Sequence, residues 1–430
     1  MSLDDSARQQ LLAALGNRPD ALSSSDGIRV RPASAGEVAA VVAWAARTGH
    51  RLYPTSSGRA SRAADGLVLD LSGLDAIVEV NRDDMLAVAQ AGVRVRDLAS
   101  AAAGTGLAYP PGFLAGPDET VGGALARGAG SRSRLSGPHR DYALGLHVVF
   151  GTGEASAVGS RAIKNQTGYN LTQHLIGSWG ALAVIVEATL RLVPSRPASL
   201  TCVAAFDSTS AAAGAAVNLA TSASAPELVE LVDRATAEAS DGSLARAFGK
   251  GESWLLIRLE GLSQDGVAER ANSILTGAQT NGAIRAARLD ADAADALWDT
   301  YRSALCPQSA GPAPVRLELG LPLSAVVGTV DAVSEIASRR GAGVSWRGGL
   351  GFGAATLTLD SRRPDVDLRD VTAEIIALVR STGGSVCLLS GLALDYDSWL
   401  EQQLPAANAK LIRLAKSALD PAGVLSPLLT

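Results

Sequence analysis

Histidine and cysteine are both scarce in this 430-residue chain, and their scarcity limits the metal and redox chemistry open to it. The four histidines are His50, His139, His147 and His174. The three cysteines are Cys202, Cys306 and Cys387. The cysteines stand far apart and form no CxxC pair, so we predict no metal site. Isolated, reduced thiols favour an intracellular chain, and we expect this one to be cytoplasmic.

The chain also lacks a strong excess of one charge and a long hydrophobic run. Its formal net charge of −5 gives no general attraction for nucleic acid or for an anionic membrane surface. No apolar stretch reaches the ~20 residues of a membrane-spanning helix. The N-terminal residues MSLDDSARQQ are charged and lack the apolar centre of a signal peptide. We therefore expect a chain that binds no nucleic acid and does not span a membrane.

Glycine and hydrophobic residues, by contrast, are plentiful. Hydrophobic residues make up 47% of the chain, which is enough for a sizeable core, and the length suits two domains. Many of the 45 glycines lie between Gly104 and Gly180. Such a concentration indicates tight turns or close approaches to the backbone.

The pattern of predicted elements changes near residue 197. Before it, strand, helix and strand follow one another from Ile28 to Tyr53, and further short strands alternate with turns. After the stretch PSRPAS, strands alternate with alanine-rich helices, as in an α+β domain with an antiparallel sheet. We predict domains at residues 1–197 and 198–404, followed by a C-terminal segment, 405–430, that returns to the first domain.

Two stretches have the composition of ligand-binding loops. PTSSGRAS, residues 54–61, follows a strand, and its small residues can turn several backbone N–H groups toward a diphosphate. An ordinary polar turn explains this stretch equally well. PPGFLAGPDETVGGALARGAGS, residues 110–131, contains several glycines, each of which weakens a packed helix by ~1 kcal/mol against alanine. Few charges occupy it, so we favour a ligand that fills the space over a flexible surface loop.

A nicotinamide-binding Rossmann unit is poorly supported. GLGFGA, residues 349–354, matches the dinucleotide fingerprint only in part and precedes the strand-like ATLTLD instead of a helix. We therefore predict a hairpin turn there. Gly104-Thr-Gly106 lacks the third small residue at the required distance.

Four motifs follow one another in the order PTSSGRAS, ETVGG, GPHRDYALGLHVV and KNQTGYNLTQHLIGSWGALAVIVEATLRL. This order resembles that of FAD-linked oxidases of the vanillyl-alcohol oxidase type, and most of all the flavin subunits of glycolate oxidase and D-lactate dehydrogenase. The resemblance covers residues 28–197 and the C-terminal tail. It implies an α+β fold, with a two-subdomain PCMH-type FAD-binding domain and an α+β cap domain that contains an antiparallel sheet.

The resemblance also implies where FAD binds. Residues 54–61 would surround the diphosphate, the Gly-Gly motif would line the flavin, and residues of the third and fourth motifs would approach the ribose and adenine. The implied cofactor-binding residues are Pro54, Thr55, Ser56, Ser57, Gly58, Arg59, Ala60, Ser61, Pro111, Thr120, Gly122, Gly123, Ala126, Gly130, Ser131, Gly137, Asp141, Val184 and Ile185.

The sequence departs from the family at the positions used for covalent attachment of FAD. Many relatives carry a histidine in the diphosphate loop, where this chain has Arg59 and Ser61. Others carry a cysteine before the Gly-Gly motif, where it has Asp118, Glu119 and Thr120. We therefore predict that FAD is bound without a covalent bond.

A second departure lies near the end of the chain. Members with a catalytic metal carry a late His-Gly-Asp-Gly-Asn motif, whereas Gly383–Gly391 here reads GGSVCLLSG. An imidazole metal site and the usual base for the hydroxyl proton are therefore missing. Trp179 stands where a glutamate is common, and Ser426 stands where an asparagine is usual.

Candidates for catalysis and substrate binding are few. Arg302 and Arg316 are candidates for a carboxylate clamp, because a guanidinium binds a carboxylate in bidentate fashion. A surface ion pair is the alternative for each arginine. Tyr301 is a further option. His139 is the histidine best placed for the flavin neighbourhood, with a polar contact to a phosphate or to the backbone as its alternative.

Three functions follow from these observations. The first is an FAD-dependent oxidoreductase that acts on a small 2-hydroxy acid, similar to glycolate or D-lactate, by hydride transfer to non-covalently bound FAD. The alternative is a non-catalytic or electron-relaying flavin subunit of a glycolate-oxidase-like complex, beside flavin and iron–sulfur partner subunits. The missing histidine motif makes the chain look like such a histidine-poor second subunit. The third is a scaffold that has lost FAD.

Overall fold

A computed structural model describes residues 3–23, 28–57, 66–128, 136–164, 168–239, 249–304, 314–361, 366–391 and 404–425. The chain divides into two compact units. The first comprises Met1–Ser131, Pro138–Ser195 and Leu394–Thr430, and the second comprises Arg132–Gly137 and Arg196–Ala393.

Helices and strands alternate in both units. The helices of the described residues are α1 Asp5–Ala14, α2 Ala35–Thr48, α3 Val95–Ala103, α4 Val121–Arg127, α5 Leu171–Leu175, α6 Thr209–Ala220, α7 Arg234–Ala239, α8 Gln264–Thr280, α9 Ala291–Ala304, α10 Val326–Arg340, α11 Leu368–Ser381 and α12 Ala406–Leu419. The strands are β1 Leu22–Ser23, β2 Arg29–Val30, β3 Arg51–Thr55, β4 Gly66–Asp70, β5 Ile77–Asn81, β6 Leu86–Gln90, β7 Leu107–Ala108, β8 Ala143–Phe150, β9 Ala155–Gly159, β10 Ala183–Arg191, β11 Val193–Pro194, β12 Ala198–Phe206, β13 Leu228–Asp233, β14 Ser253–Gly261, β15 Arg285–Arg288, β16 Val315–Gly320, β17 Ala342–Gly348, β18 Ala354–Ser361 and β19 Ser385–Ser390. None of the helices in these ranges is long and apolar enough to cross a membrane.

The first unit begins with a small sheet of strand order β1-β2-β4-β3, in which β2, β4 and β3 run parallel. Helix α2 connects β2 to β3. It begins after Ser34, whose hydroxyl accepts a hydrogen bond from the Glu37 amide, and ends at Gly49 in the left-handed conformation, with φ 73°. Its apolar stripe, which includes Val38 and Trp44, is buried against α1 and the sheet.

A five-stranded antiparallel sheet of order β5-β6-β10-β8-β9 completes the first unit. Strands β8 and β9 form a hairpin. The central strand β10 is covered on both faces, because Val184 and Val186 pack in the core of α1 and α2 while Ile185 packs in the core of α3 and α4. Burial on both faces explains why this strand reads as a nearly continuous apolar run.

The second unit is built on an eight-stranded sheet of order β15-β12-β14-β13-β17-β18-β16-β19, in which neighbouring strands are antiparallel. One face is apolar and packs against α6, α8, α10 and α11. The opposite face carries α9, which is anchored where Trp298 Nε1 donates to Thr201 Oγ1 at 3.0 Å. The predicted α+β class with an antiparallel sheet in this part is confirmed. So is the hairpin turn at residues 349–354, which connects β17 to β18.

The C-terminal residues fold back onto the first unit around one buried ion pair. Lys416 Nζ donates to Asp420 Oδ2 at 2.6 Å, to the carbonyl oxygen of Ala181 at 2.8 Å and to that of Leu425 at 2.9 Å. The Asp420 carboxylate also accepts from the amides of Val424 and Leu425, both at 2.9 Å. Helix α12 is thereby tied to the turn that precedes β10.

Candidate functional site

The end of β3 and the start of α4 lie side by side in the first unit. Ser56 follows β3 directly, and Thr120 is the N-cap of α4. Their hydroxyl oxygens are 2.5 Å apart, although the residues are 64 positions apart along the chain. Thr120 Oγ1 also accepts from the amide of Gly123 at 3.2 Å. The fold thus brings together the two stretches whose composition suggested a ligand-binding loop.

The strand end offers backbone donors to a ligand. Across the described ranges, the amides of Ser56 and Ser57 donate to no protein acceptor. Ser56 is 8% exposed, and a backbone amide that is buried without an acceptor is costly. A diphosphate oxygen supplies the acceptor that such an amide lacks. The residues present therefore fit the anionic centre of a dinucleotide.

Packing within the protein also explains the Gly-Gly motif. A Cβ on Gly122 would lie 2.6 Å from the Cβ of Ala91, and a Cβ on Gly123 would lie 2.9 Å from Thr120 Oγ1. The Gly122 amide donates to the Ala91 carbonyl at 2.9 Å, so α4 approaches the end of β6 at main-chain distance. The idea that a ligand must fill the space beside these glycines is therefore unnecessary at Gly122, and the contact of both glycines with FAD stays a prediction.

An ion pair between Arg127 and Glu119 lies beside Gly123. Arg127 Nη2 lies 2.7 Å from Glu119 Oε1, and Arg127 Nη1 lies 3.3 Å from the position that a Cβ would take on Gly123. Ser56 Oγ lies 3.2 Å from the same position, so the guanidinium, paired with Glu119, lies close to the Ser56 side chain. Sequence reasoning missed Arg127. Its spacing of four residues from Gly123, one helical turn, is the signal that was available.

The turn between α5 and β10 packs against both elements of this site. The Trp179 amide donates to the Ala126 carbonyl of α4 at 2.7 Å. On its other side, a Cβ on Gly180 would lie 3.4 Å from Cγ of Pro54 in β3. The GSWGA stretch therefore lies between the end of β3 and α4.

His139 is buried next to Tyr109. Its Nδ1 lies 2.8 Å from the Tyr109 hydroxyl oxygen. Burial lowers the pKa of His139 to about 4, with Glu119 opposing this change and Arg127 adding to it. Burial also raises the pKa of Tyr109 above its ordinary value. The imidazole is therefore neutral at pH 7. Its described polar contact is with the Tyr109 side chain, and not with a phosphate or the backbone, which were the alternatives to catalysis.

The remaining predicted cofactor residues fall into several groups. Those outside the described residues are Gly58, Arg59, Ala60, Ser61, Gly130 and Ser131. Pro111 is buried in a short 3₁₀ turn, and Asp141 is exposed. Gly137 belongs to the second unit, as the last residue of its segment Arg132–Gly137. Val184 and Ile185 have buried side chains, so that only their main chain is open to a ligand.

In the second unit, one face of the sheet turns polar on strands β17, β18, β16 and β19. The register places Arg316 opposite Thr358 and, one strand further, Thr358 opposite Ser345. Directly opposed residues share a face of the sheet. Glu318 follows two positions along β16, so it lies on the same face as Arg316. Cys387 of β19 lies opposite Glu318.

Arg316 carries the clearest electrostatic signal of this face. Burial lowers the pKa of its guanidinium below the ordinary value. In the part of the chain that the structure describes, no acidic group pairs with it and no acceptor bonds to it. A guanidinium that has lost part of its hydration without gaining a partner is a favourable place for an anionic ligand.

Arg302 and Tyr301 lie on α9 and differ from Arg316 in their contacts. Arg302 Nη2 pairs with Asp299 Oδ1 at 2.7 Å, the intrahelical ion pair that was the alternative for this residue. Tyr301 is buried, and its hydroxyl donates to the carboxylate of Glu230, which anchors α9 on the sheet. Arg302 and Arg316 thus lie on separate elements, and no shared hydrogen-bond partner within the described residues joins them.

The stretch that replaces the late histidine motif forms β19. Burial raises the pKa of the Cys387 thiol to about 11, and the nearby Glu318 carboxylate adds to this effect. The thiol is therefore protonated at neutral pH. Nowhere in the described ranges do three or more histidine, cysteine, aspartate or glutamate side chains come together as metal ligands would.

Two protein families match the chain. Residues 27–159 match the FAD binding domain, and residues 196–429, more than half of the chain, match the C-terminal domain of FAD linked oxidases. The chain therefore belongs to the FAD-linked oxidases. It is an FAD-dependent oxidoreductase, in agreement with the fold and with the dinucleotide fit at the end of β3.

Several characterised relatives narrow this class. The glycolate oxidase subunit GlcD of Bacillus subtilis is 26% identical, and the match covers 99% of this chain and 93% of that protein. The D-2-hydroxyglutarate dehydrogenase of Stutzerimonas stutzeri is also 26% identical, over 93% of this chain and 89% of that one. The D-lactate dehydrogenase of Archaeoglobus fulgidus is 36% identical over 38% of each chain. The chain is thus related to glycolate oxidase and to D-lactate and D-2-hydroxyglutarate dehydrogenases.

Solved structures share the fold. The 4-ethylphenol oxidase of Gulosibacter chungangensis, in complex with isoeugenol, superimposes with a TM-score of 0.75 over 98% of this chain and 95% of that one, at 16% identity. p-Cresol methylhydroxylase with substrate bound gives a TM-score of 0.75 over 99% and 96%, also at 16% identity. The likeness confirms the PCMH-type FAD-binding architecture.

Proposed function

We propose that the chain oxidises a small 2-hydroxy acid, with FAD held by non-covalent contacts. The observation that carries this proposal is Arg316, a half-buried guanidinium without a described partner on the polar face of the second unit's sheet. Bound FAD supplies the acceptor for the hydride that leaves the substrate's α-carbon. The protein's own residues hold the cofactor, bind the carboxylate and receive the hydroxyl proton.

Arg316 binds the substrate carboxylate. A planar guanidinium donates two parallel hydrogen bonds to a carboxylate, which fixes both the position and the orientation of the acid. Such a charged hydrogen bond contributes about 1.5–3 kcal/mol, and the partial burial of Arg316 reduces competition from water. The relatives named for glycolate, D-lactate and D-2-hydroxyglutarate all use acids with a hydroxyl next to the carboxylate, which supports this substrate class.

Glu318 receives the hydroxyl proton. It lies two residues from Arg316 on the same face, about 7 Å along the strand. That spacing lets one small acid reach both side chains, with its carboxylate on Arg316 and its hydroxyl toward Glu318. Glu318 thus replaces the histidine that the late motif supplies in other members of the family.

The test begins with the purified protein loaded with FAD. Under anaerobic conditions, we expect glycolate, D-lactate or D-2-hydroxyglutarate to bleach the flavin absorbance near neutral pH. R316M raises the acid concentration needed for half-maximal reduction by about tenfold or more, because the loss of a charged hydrogen bond costs at least about 1.4 kcal/mol. R316K keeps the charge but loses the bidentate geometry of the guanidinium, so its acid concentration for half-maximal reduction should lie between those of the wild type and R316M. R285M, an exposed arginine on the edge strand β15 of the same sheet, is the matched control and changes nothing.

Failure of all three acids to reduce the flavin would contradict the proposal. It would favour the second candidate, a flavin subunit that relays electrons or stabilises a glycolate-oxidase-like complex with flavin and iron–sulfur partner subunits. The absence of histidine from Gly383–Gly391 supports this candidate. Reduction of the flavin only after a catalytic flavin subunit is added would establish it.

The non-covalent attachment of FAD has a separate test. Acid precipitation of the holoprotein should leave all yellow colour in the supernatant, and the denatured chain should have the mass of the polypeptide alone. Flavin mass retained on the denatured chain would show a covalent bond.

A further inference from the structure

Trp179 has a backbone conformation that its side chain disfavours. Its φ is 54°, in the left-handed region, where Gly177 and Gly180 of the same turn also lie, at 83° and 79°. Glycine adopts these angles freely, whereas a bulky residue is strained there. Strain of this kind persists only where the surroundings hold it in place, and it is concentrated at functional sites.

The surroundings hold this turn from two sides. The amides of Gly177 and Trp179 donate to the carbonyls of Leu125 and Ala126 in α4, at 3.0 and 2.7 Å. On the other side, Lys416 Nζ donates to the carbonyl of Ala181. The chain therefore keeps tryptophan in a position that glycine would occupy without strain, and it braces the turn so that the strain is maintained.

In the part of the chain that the structure describes, core packing of the Trp179 side chain does not offset the strain. The indole of Trp179 is half-buried, yet among the described residues it belongs to neither hydrophobic core of the first unit. Its ring stacks on no described aromatic side chain, and its Nε1 bonds to no described acceptor. Among the described residues, the half-buried indole therefore has no aromatic or hydrogen-bonding partner.

The position of Trp179 indicates what the ring contacts. Its amide is bonded to α4, and the next residue, Gly180, packs on Pro54 at the end of β3. These are the two elements that carry Ser56 and Thr120, where the dinucleotide fits. Trp179 therefore lies at the edge of the FAD site, between the segments that form it.

We propose that the indole of Trp179 forms an aromatic wall of the FAD site and stacks on a flat ring of the bound dinucleotide. This inference rests on the proposed mode of FAD binding. Stacking of a base on an aromatic side chain stabilises complexes enough to change affinity by about tenfold. The strain in the turn is thus the cost of presenting the ring to the cofactor.

Three substitutions separate contact by the ring from strain in the backbone. W179F keeps an aromatic ring, W179A removes it and keeps the strain, and W179G removes both. We expect W179A and W179G to bind FAD about tenfold more weakly than the wild type, and W179F to lie within about threefold of it. The apoprotein of W179G should nevertheless melt a few degrees above that of W179A, because glycine relieves the left-handed strain.

Affinity is measured by titrating each apoprotein with FAD and following flavin fluorescence. The inference is overturned if the affinities of W179A and W179G follow their melting temperatures, or if both bind FAD like the wild type. Titrations with FMN and with ADP show which ring of FAD the indole contacts. Weaker binding of FMN by W179A than by the wild type indicates the isoalloxazine, and weaker binding of ADP indicates the adenine. A wild-type apoprotein that binds no FAD would instead contradict the proposed function itself.

Discussion

Replacing Lys416 with methionine tests how the C-terminal helix supports the cofactor site. Lys416 Nζ makes hydrogen bonds to Asp420, Ala181 and Leu425, and the side chains of Lys416 and Asp420 are 29% and 0% exposed. K416M keeps the length of the aliphatic stem and removes the charge. The Asp420 carboxylate is then left buried with only backbone amides as partners.

The size of the effect follows from this burial. Removing one partner of a buried ion pair costs about 3–5 kcal/mol, and the partial exposure of Lys416 places the expected loss near the lower end. A loss of about 3 kcal/mol corresponds to a decrease in melting temperature of about 6–12 °C for a unit of this size. FAD affinity should fall as well, because the lost bond to Ala181 releases the turn that carries Trp179, and because Leu425 pairs with Leu52 of β3.

Thermal unfolding of the apoprotein and titration with FAD measure the two effects. K410M, an exposed lysine on the same helix, is the matched control and should leave both unchanged. A double-mutant cycle with D420N should give a coupling energy between about 0.5 and 3 kcal/mol. The reasoning is refuted if K416M melts within about 2 °C of K410M, a difference that corresponds to less than about 1 kcal/mol.

Three further predictions concern the two units. The pKa of His139 is lowered to about 4 in the folded chain from 6.5, so between these pH values the unfolded chain binds a proton that the folded chain does not. The stability of the protein is therefore fully present above pH 6.5 and falls as the pH drops toward 4. H139Q should flatten this part of a profile of melting temperature against pH. G122A places a Cβ 2.6 Å from that of Ala91 and should lower the free energy of unfolding in urea by about 1–3 kcal/mol. The control G104A, whose Cβ meets no atom closer than 3.4 Å, should change the free energy of unfolding by no more than about 0.5 kcal/mol. E318Q should leave FAD binding unchanged and slow anaerobic flavin reduction by about a hundredfold or more; an unchanged rate would remove Glu318 from the mechanism.

Much of the fold followed from local patterns. The cap at Ser34 and the left-handed Gly49 mark the ends of α2, and both are short-range features of the sequence. The turn at residues 349–354 was predicted because a strand follows the glycines, and β18 begins at Ala354. Family membership was readable for a similar reason: four motifs in a fixed order identify a cofactor-binding chain even where each motif alone is ambiguous.

The candidate site was predicted less completely. The glycines at 122 and 123 were attributed to a ligand, yet Gly122 packs on Ala91, a residue 31 positions earlier whose nearness no local pattern reports. Arg127 was missed because its importance comes from lying over Gly123. Arg316 and Arg302 looked equivalent in the sequence. Only their surroundings distinguish Arg316, half-buried and without a partner among the described residues, from Arg302, which pairs with Asp299.

The sequence by itself determined the class of the protein and the FAD cofactor, and its caps mark the ends of α2, because these depend on residue order, on capping and on hydrophobic period. Tertiary structure alone decided that the hydroxyls of Ser56 and Thr120 meet, that Trp179 is strained between α4 and β3, and that Arg316 is partly desolvated without a described partner. The physical reason is that desolvation and strain depend on which distant segments surround a residue, and a linear order of residues does not specify those neighbours.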